Sequence, residues 1–376
     1  TTAVTEAPMI TTTVTTTAAV PVVVYPSINS DTIEYDEETD TKYAVLIDTE
    51  TNEIIAQKNY NVRMYPASLT KVMTLIVALE NIDDLNDTVE ITADMIDPMI
   101  DLHASRAGFC AGETPTLEQV LYGVSLPSGA DASLAVATYV AGSEEAFVEL
   151  MNKKAEEMGL KNTHFTNVVG LHNDNHYSTA EDMALILQYA IKIDKCREIL
   201  STYQYEIPPT EYNPEGLILT STVFSRMEGT EMPNVVIKGG KTGFTKSAGR
   251  CLVSVCERNG VKLCAVTLNA PNDWNDHKDM FSYGFTLCKR ITLEGAGQFE
   301  YSSFVCGGTS DTVTAHTRED ITATVKTDGC ELKRIVYMRR FYYPDIKEGQ
   351  IIGCIIYKCG NNTVAEAPLY ADFTVG

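Results

Sequence analysis

The spacing of apolar positions changes character along this chain, and each change marks a set of elements. Tyr43-Ala44-Val45-Leu46-Ile47-Asp48 and Glu53-Ile54-Ile55-Ala56-Gln57 are β-rich runs on either side of the polar Thr49–Asn52, which predicts a β-hairpin. Val72 to Leu79 is an almost unbroken apolar run, read as a helix. Thr116-Leu117-Glu118-Gln119 has the form of a capping box opening a helix through about Leu126, and Asp131–Val140 predicts the next. Glu144–Met158 reads as a third helix closed by Gly159. Ser178-Thr179-Ala180-Glu181 predicts another capping box, continued by Met183, Leu185, Ile186 and Tyr189 at helical spacing. Beyond residue 240 strands return: Cys251–Val255 and Leu263–Thr267 flank a turn containing Arg258-Asn259-Gly260, a hairpin signal. Asp276–Arg290 reads as an amphipathic helix burying Met280, Phe281, Leu287 and Cys288. From about Ile291 onward, short runs such as Ile321–Val325, Ile335–Met338 and Ile351–Tyr357 alternate with polar turns, the pattern of a separate small β domain, 291–376.

Composition narrows the classes. At 376 residues and 44% hydrophobic, the chain can bury a large core in two domains. Its net charge of -22 argues against a nucleic-acid partner, which needs a concentrated basic surface. No stretch offers the eighteen or so consecutive apolar residues of a membrane span, and the first residues lack a signal-peptide layout, so the sequence reads as a mature or trimmed form. Residues 1–40 read as a tether: threonine-rich from Thr11 to Thr17, then acidic between Asp31 and Asp40 as a solvated lead-in. A tether of this kind suits an exported, cell-surface protein. The ten cysteines form no Cys-x-x-Cys pair, and Cys251/Cys256 and Cys354/Cys359 are spaced unlike zinc or redox motifs. Buried free thiols are the favoured reading; export to an oxidising space requires that some be bridged or that the surroundings be reducing.

One segment carries chemistry. In Ser68-Leu69-Thr70-Lys71, just after Pro66, a helix sets Ser68 and Lys71 one turn apart on one face, where serine can serve as acylation nucleophile and lysine as its base. Alone, Ser-x-x-Lys is weak, since about one or two copies arise by chance in a chain of this size. Lys241-Thr242-Gly243, after the β-branched Val235-Val236-Ile237, adds a second element on or beside a strand. His172, Asp174 and His176 lie close in sequence but lack the helical spacing of a zinc motif, so a polar loop flanking the site is the preferred reading. No Gly-x-Ser-x-Gly elbow is present, which disfavours an α/β-hydrolase triad.

Together these motifs, in this order, resemble the penicillin-recognising serine enzymes. The segment Tyr65–Thr74 is similar to the nucleophile segment of serine D-alanyl-D-alanine carboxypeptidases, Leu126–Ala132 to their middle motif, and Gly239–Gly249 to their final motif; Asn162–Phe165, Gly170–His172 and His176–Ala180 are similar to the stretch between. The resemblance spans roughly residues 43–290. It implies an α/β fold, a penicillin-binding/β-lactamase-like transpeptidase domain (41–290) with an antiparallel sheet flanked by helices, followed by a β-rich C-terminal domain. It implies Ser68 as nucleophile, Lys71 as base, Ser128 as proton relay, Lys241, Thr242 and Gly243 at the substrate's terminal carboxylate, and an oxyanion hole from the N–H groups of Ser68 and Phe244. No cofactor or metal is implied. The implied partners are peptidoglycan stem peptides, β-lactam antibiotics and a membrane surface reached through an anchor outside this sequence, with action outside the cytoplasm. A β-lactamase-like hydrolase and a weakly catalytic penicillin-binding scaffold are the alternatives. One departure stands out: the family's middle motif reads Ser-x-Asn, and here Ala130 supplies no amide.

Overall fold

The computed structural model describes residues 25–28, 32–35, 40–227, 231–327, 331–360 and 362–376; the threonine-rich run and most of the acidic lead-in lie outside these. The chain forms two compact units, the larger reaching Gly284 and the smaller made of Phe285–Gly376 with the short turn Asn259–Val261.

In the larger unit, β1 (Ile33–Glu34), β2 (Tyr43–Asp48) and β3 (Ile54–Lys58) precede a 3₁₀ turn at Ala67–Thr70 that runs directly into α1 (Lys71–Asn81). Helices α2 (Ala93–Asp101), α3 (Leu117–Ser125), α4 (Ala130–Ala141), α5 (Glu144–Glu157), α6 (Ala180–Ala190) and α7 (Asp194–Ser201) follow. A small hairpin of β4 (Gln204–Ile207) and β5 (Leu217–Thr220) and the short α8 (Phe224–Met227) then lead to β6 (Val236–Thr245), β7 (Gly249–Arg258), β8 (Val261–Leu268) and α9 (Asp273–Leu287). The main sheet has the order β1-β3-β2-β8-β7-β6, so the first hairpin and the last three strands, some 200 residues apart in sequence, share one sheet with β6 at its edge. Helix α1 is buried from Lys71 through Ala78, which is why its sequence is apolar on every side rather than striped. It packs among Leu121, Val136, Phe165 and Ile186 in the main core.

Most expected elements are present, and three details differ. The cap of α6 is Thr179, whose hydroxyl accepts the Asp182 N–H at 3.0 Å; Ser178 instead exchanges a hydrogen bond with Thr163 at 2.9 Å. Ser-Thr followed by Glu-Asp satisfies the capping rule in two frames, and the half-buried Thr163 with the buried Asp182 selects the second. Helix α9 runs three residues ahead of the expected Asp276–Arg290, and Cys288 opens strand β9. Finally, Cys196, Cys251, Cys256, Cys264 and Cys288 are buried free thiols, but Cys359 is disulfide-bonded, so the all-thiol reading fails there.

The smaller unit is built of strands: β9 (Cys288–Glu294), β10 (Tyr301–Val305), β11 (Thr312–His316), β12 (Ile321–Lys326), β13 (Leu332–Met338), β14 (Phe341–Tyr342), β15 (Ile351–Cys359) and β16 (Asn362–Ala371). Its six-stranded sheet has the order β13-β15-β16-β11-β10-β14, with β9 and β12 forming a separate antiparallel pair. Val313, Ile355, Leu369 and Val375 centre a core of its own.

Candidate active site

Pro66 enters the 3₁₀ turn with φ −77° and Ala67 follows at φ +48°, a left-handed conformation costly for a residue with a Cβ. This bend sets Ser68 in the turn and Lys71 as the first residue of α1. The Lys71 ammonium nitrogen Nζ donates to Ser68 Oγ at 3.2 Å and to the Val169 carbonyl at 2.9 Å. Val169 belongs to a loop organised by Asn167, whose Oδ1 accepts the N–H groups of Val169, Gly170 and Leu171. Gly170, at φ +85°, lies so close under the turn that a Cβ there would collide with the Ala67 carbonyl.

Ser128 lies between α3 and α4, buried, again in the left-handed region at φ +64°. Strain is retained here because the surroundings over-determine it. Asp131, fully buried, accepts the N–H groups of Ala107 at 2.7 Å, Gly108 at 3.2 Å and Ala132 at 2.9 Å, and the Ala130 N–H donates to the Ser105 carbonyl at 2.8 Å.

The third side of the site is the edge strand β6. Lys241 Nζ donates to Ser128 Oγ at 2.9 Å and to the Thr242 carbonyl at 2.8 Å, and Thr242 Oγ1 meets Thr222 Oγ1 at 2.6 Å. A Cβ on Gly243 would stand 3.1 Å from both Ser68 N and the Pro66 carbonyl, so any side chain there would crowd the nucleophile's backbone. Phe244 is paired with Arg250, whose carbonyl is turned away from β6 to accept the Ala270 N–H at 2.9 Å. The pair is therefore a non-hydrogen-bonded one, and the Phe244 N–H points out of the open edge, on the same side as the Thr242 carbonyl. Ser68, Lys71, Ser128, Lys241, Thr242, Gly243 and the Phe244 backbone thus converge from three separate stretches of chain.

The family model for D-alanyl-D-alanine carboxypeptidases (peptidase S11) matches residues 30–272, and the model for the C-terminal domain of penicillin-binding protein 5 matches residues 294–376. The chain belongs to the D-alanyl-D-alanine carboxypeptidase family. It is 30% identical over 337 residues to the carboxypeptidase DacF of Bacillus subtilis, covering 88% of this chain and 85% of that one. It is 28% identical to DacA of Escherichia coli K12, covering 88% and 82%. Among solved structures, penicillin-binding protein 5 of Haemophilus influenzae superposes with a TM-score of 0.68 at 26% identity, covering 91% of this chain and 99% of that one. The low-molecular-mass penicillin-binding fold, with its added all-β domain, is thereby the fold of this chain.

Within this carboxypeptidase fold the electrostatics of the two lysines differ. Complete burial pushes the Lys71 amine down to about 7, against an opposing pull from Asp131. Burial also holds Lys241 well below the usual lysine range, with Lys71 and Arg226 adding repulsion. His172 and His176 do separate things. His172 packs edge-on against Tyr65 at 4.6 Å with Asp174 3.7 Å away. His176 is buried, with Nδ1 accepting the Thr166 N–H at 3.2 Å and Nε2 facing Thr70 Oγ1 at 2.7 Å, a strut beneath the nucleophile turn. Among the described residues no group of three or more such side chains is placed to hold a metal.

Sequence reasoning missed the Val169 carbonyl, Thr222, Asp131 and Arg226. The first is a backbone atom and leaves no residue-type signal. Ala130, at the third position of the middle motif, is buried in the core, and Lys71 Nζ donates its second hydrogen bond to the Val169 carbonyl.

Proposed function

We propose that the chain removes the terminal D-alanine from peptidoglycan stem peptides through an acyl-enzyme on Ser68, and that β-lactams acylate the same serine. The single observation that carries this reading is the Ser68–Lys71–Val169 cluster, in which a buried amine held near neutral pKa donates to the nucleophile's oxygen at 3.2 Å. In the neutral amine the lone pair, rather than a proton, faces Ser68 Oγ. Lys71 Nζ takes the hydroxyl proton as Oγ attacks the penultimate D-alanine carbonyl. The oxyanion faces the N–H groups of Ser68 and Phe244.

Collapse of the tetrahedral adduct breaks the peptide C–N bond. The leaving amine takes its proton from Ser128, which is resupplied by the proton that Lys71 took from Ser68, passed by way of the neighbouring Lys241, so that Lys71 is neutral again when the acyl-enzyme stands. Thr242, backed by Thr222, receives the terminal carboxylate, whose negative charge raises the proton affinity of Lys241 beneath it. Water, deprotonated by Lys71, then hydrolyses the ester. Work on cell-wall peptidoglycan sets the chain outside the cytoplasm, and attachment to the membrane is part of the same proposal.

The test is D-alanine release from a stem pentapeptide. Release by the native chain that vanishes in Ser68→Ala is the expected result. Undiminished release by Ser68→Ala contradicts the assignment.

A further inference from the structure

The catalytic reading leaves the smaller unit without a task, yet its surface holds a feature of its own. Arg339-Arg340-Phe341-Tyr342-Tyr343 links β13 to the residues just past β14. Tyr342 is buried and pins this segment. Its hydroxyl donates to the Ile352 carbonyl and accepts the Arg339 N–H at 3.1 Å. The Ser303 hydroxyl donates to the Arg339 carbonyl, and the Cys306 N–H donates to the Tyr342 carbonyl at 2.9 Å.

With Tyr342 turned inward, strand alternation turns its neighbours outward. Phe341 is 48% exposed and Tyr343 70%, and their rings meet edge to face at 5.7 Å. Strand β14 pairs in parallel with β10, which sets Phe304, 68% exposed, in register with Phe341. Beside Phe304 a cavity of about 280 Å³ is lined in part by Ser302, Thr312, Arg339 and Arg340. From Val336 to Pro344 there is no acidic residue, in a chain whose net charge is -22.

Three large rings held outward on a pinned edge are more than scattered surface hydrophobes. We infer that this face docks on an anionic bilayer: Phe304, Phe341 and Tyr343 enter the headgroup boundary, and Arg339 and Arg340 meet phosphates of anionic phospholipids. Aromatic rings favour that boundary, and each arginine near an anionic surface strengthens attachment roughly fivefold. A soluble polyanion would engage the arginines and leave the rings in water, so the rings decide for the bilayer. The arginines offset, locally, the repulsion that an acidic chain meets at such a surface.

The test is sedimentation of the full chain with phosphatidylcholine vesicles containing or lacking phosphatidylglycerol, which needs no turnover and so stands or falls apart from the catalytic reading. Binding only to the phosphatidylglycerol vesicles is expected, weakening as salt is raised. Arg339→Gln with Arg340→Gln lowers it roughly thirtyfold. Phe304→Ser with Tyr343→Ser abolishes retention at high salt, with near-ultraviolet circular dichroism unchanged because both side chains are exposed. Absence of binding to phosphatidylglycerol vesicles overturns the proposal, as does binding that neither double variant reduces. Binding to soluble poly(glycerol phosphate) without vesicle binding also overturns it, in favour of a wall polymer.

Discussion

Lys71 and Lys241 face each other across one small site, both buried, and their surroundings treat them differently. Lys71 has a carboxylate, Asp131, within electrostatic reach, and burial leaves its amine near about 7. Lys241 has two cations in reach, Lys71 and Arg226, whose repulsion adds to burial in holding its amine well below the usual lysine range. The lesson is that desolvation favours the neutral form of both amines, while the local charges oppose it at Lys71 and reinforce it at Lys241. Lys71 is poised near neutrality, where a general base combines availability with driving force. Lys241 is a relay whose proton affinity rises when a carboxylate arrives.

The comparison breaks most severely if Lys71 is not the base. Replacing it with alanine is expected to slow acylation by a β-lactam by about 10³-fold at neutral pH, measured by stopped-flow quenching. A loss under tenfold would remove Lys71 from the mechanism. Gly170→Ala comes next, because its Cβ would drive into the Ala67 carbonyl beneath the nucleophile. It is expected to cost about 3 kcal/mol of stability by denaturant titration and to slow acylation in the protein that remains folded.

Asp131→Asn sharpens the contrast between the lysines. Removing the carboxylate withdraws the one influence that favours charged Lys71, so the rise of acylation with pH should move to lower pH. The three N–H groups that Asp131 accepts lose a charged partner, at a cost of about 2 kcal/mol. An upward shift would show that Asp131 does not act on Lys71. Arg226→Gln gives the smallest effect. Asp273 keeps Arg250 as partner at 3.1 Å, Lys241 loses one repelling cation, and deacylation should change by no more than about threefold.

Much of this was legible in the chain. Ser68-x-x-Lys71 and Lys241-Thr242-Gly243 carry side-chain chemistry at spacings that local structure turns into geometry, and the first hairpin announces itself by alternation. What escaped has physical reasons. The Val169 carbonyl reaches Lys71 across 98 residues and is a backbone atom, invisible to residue type. The α6 cap lies between two equally valid frames, and only a tertiary contact from Thr163 decides it. The end of α9 is set by the pairing of Cys288 with Lys326 in β12, which overrides the helical spacing read from Asp276 onward. Ala130 departs from the Ser-x-Asn pattern and is buried in the core, where it supplies no side-chain hydrogen bond.

The most direct test of the central claim is the pH dependence of the acylation rate constant with a neutral β-lactam analogue or peptide ester. Lys71 as a buried neutral base predicts a rate that rises with pH and levels off above a midpoint near about 7. A rate still climbing toward the ordinary lysine range near about 10.4 would contradict the account, because Lys71 would then keep its proton where the reaction needs it gone.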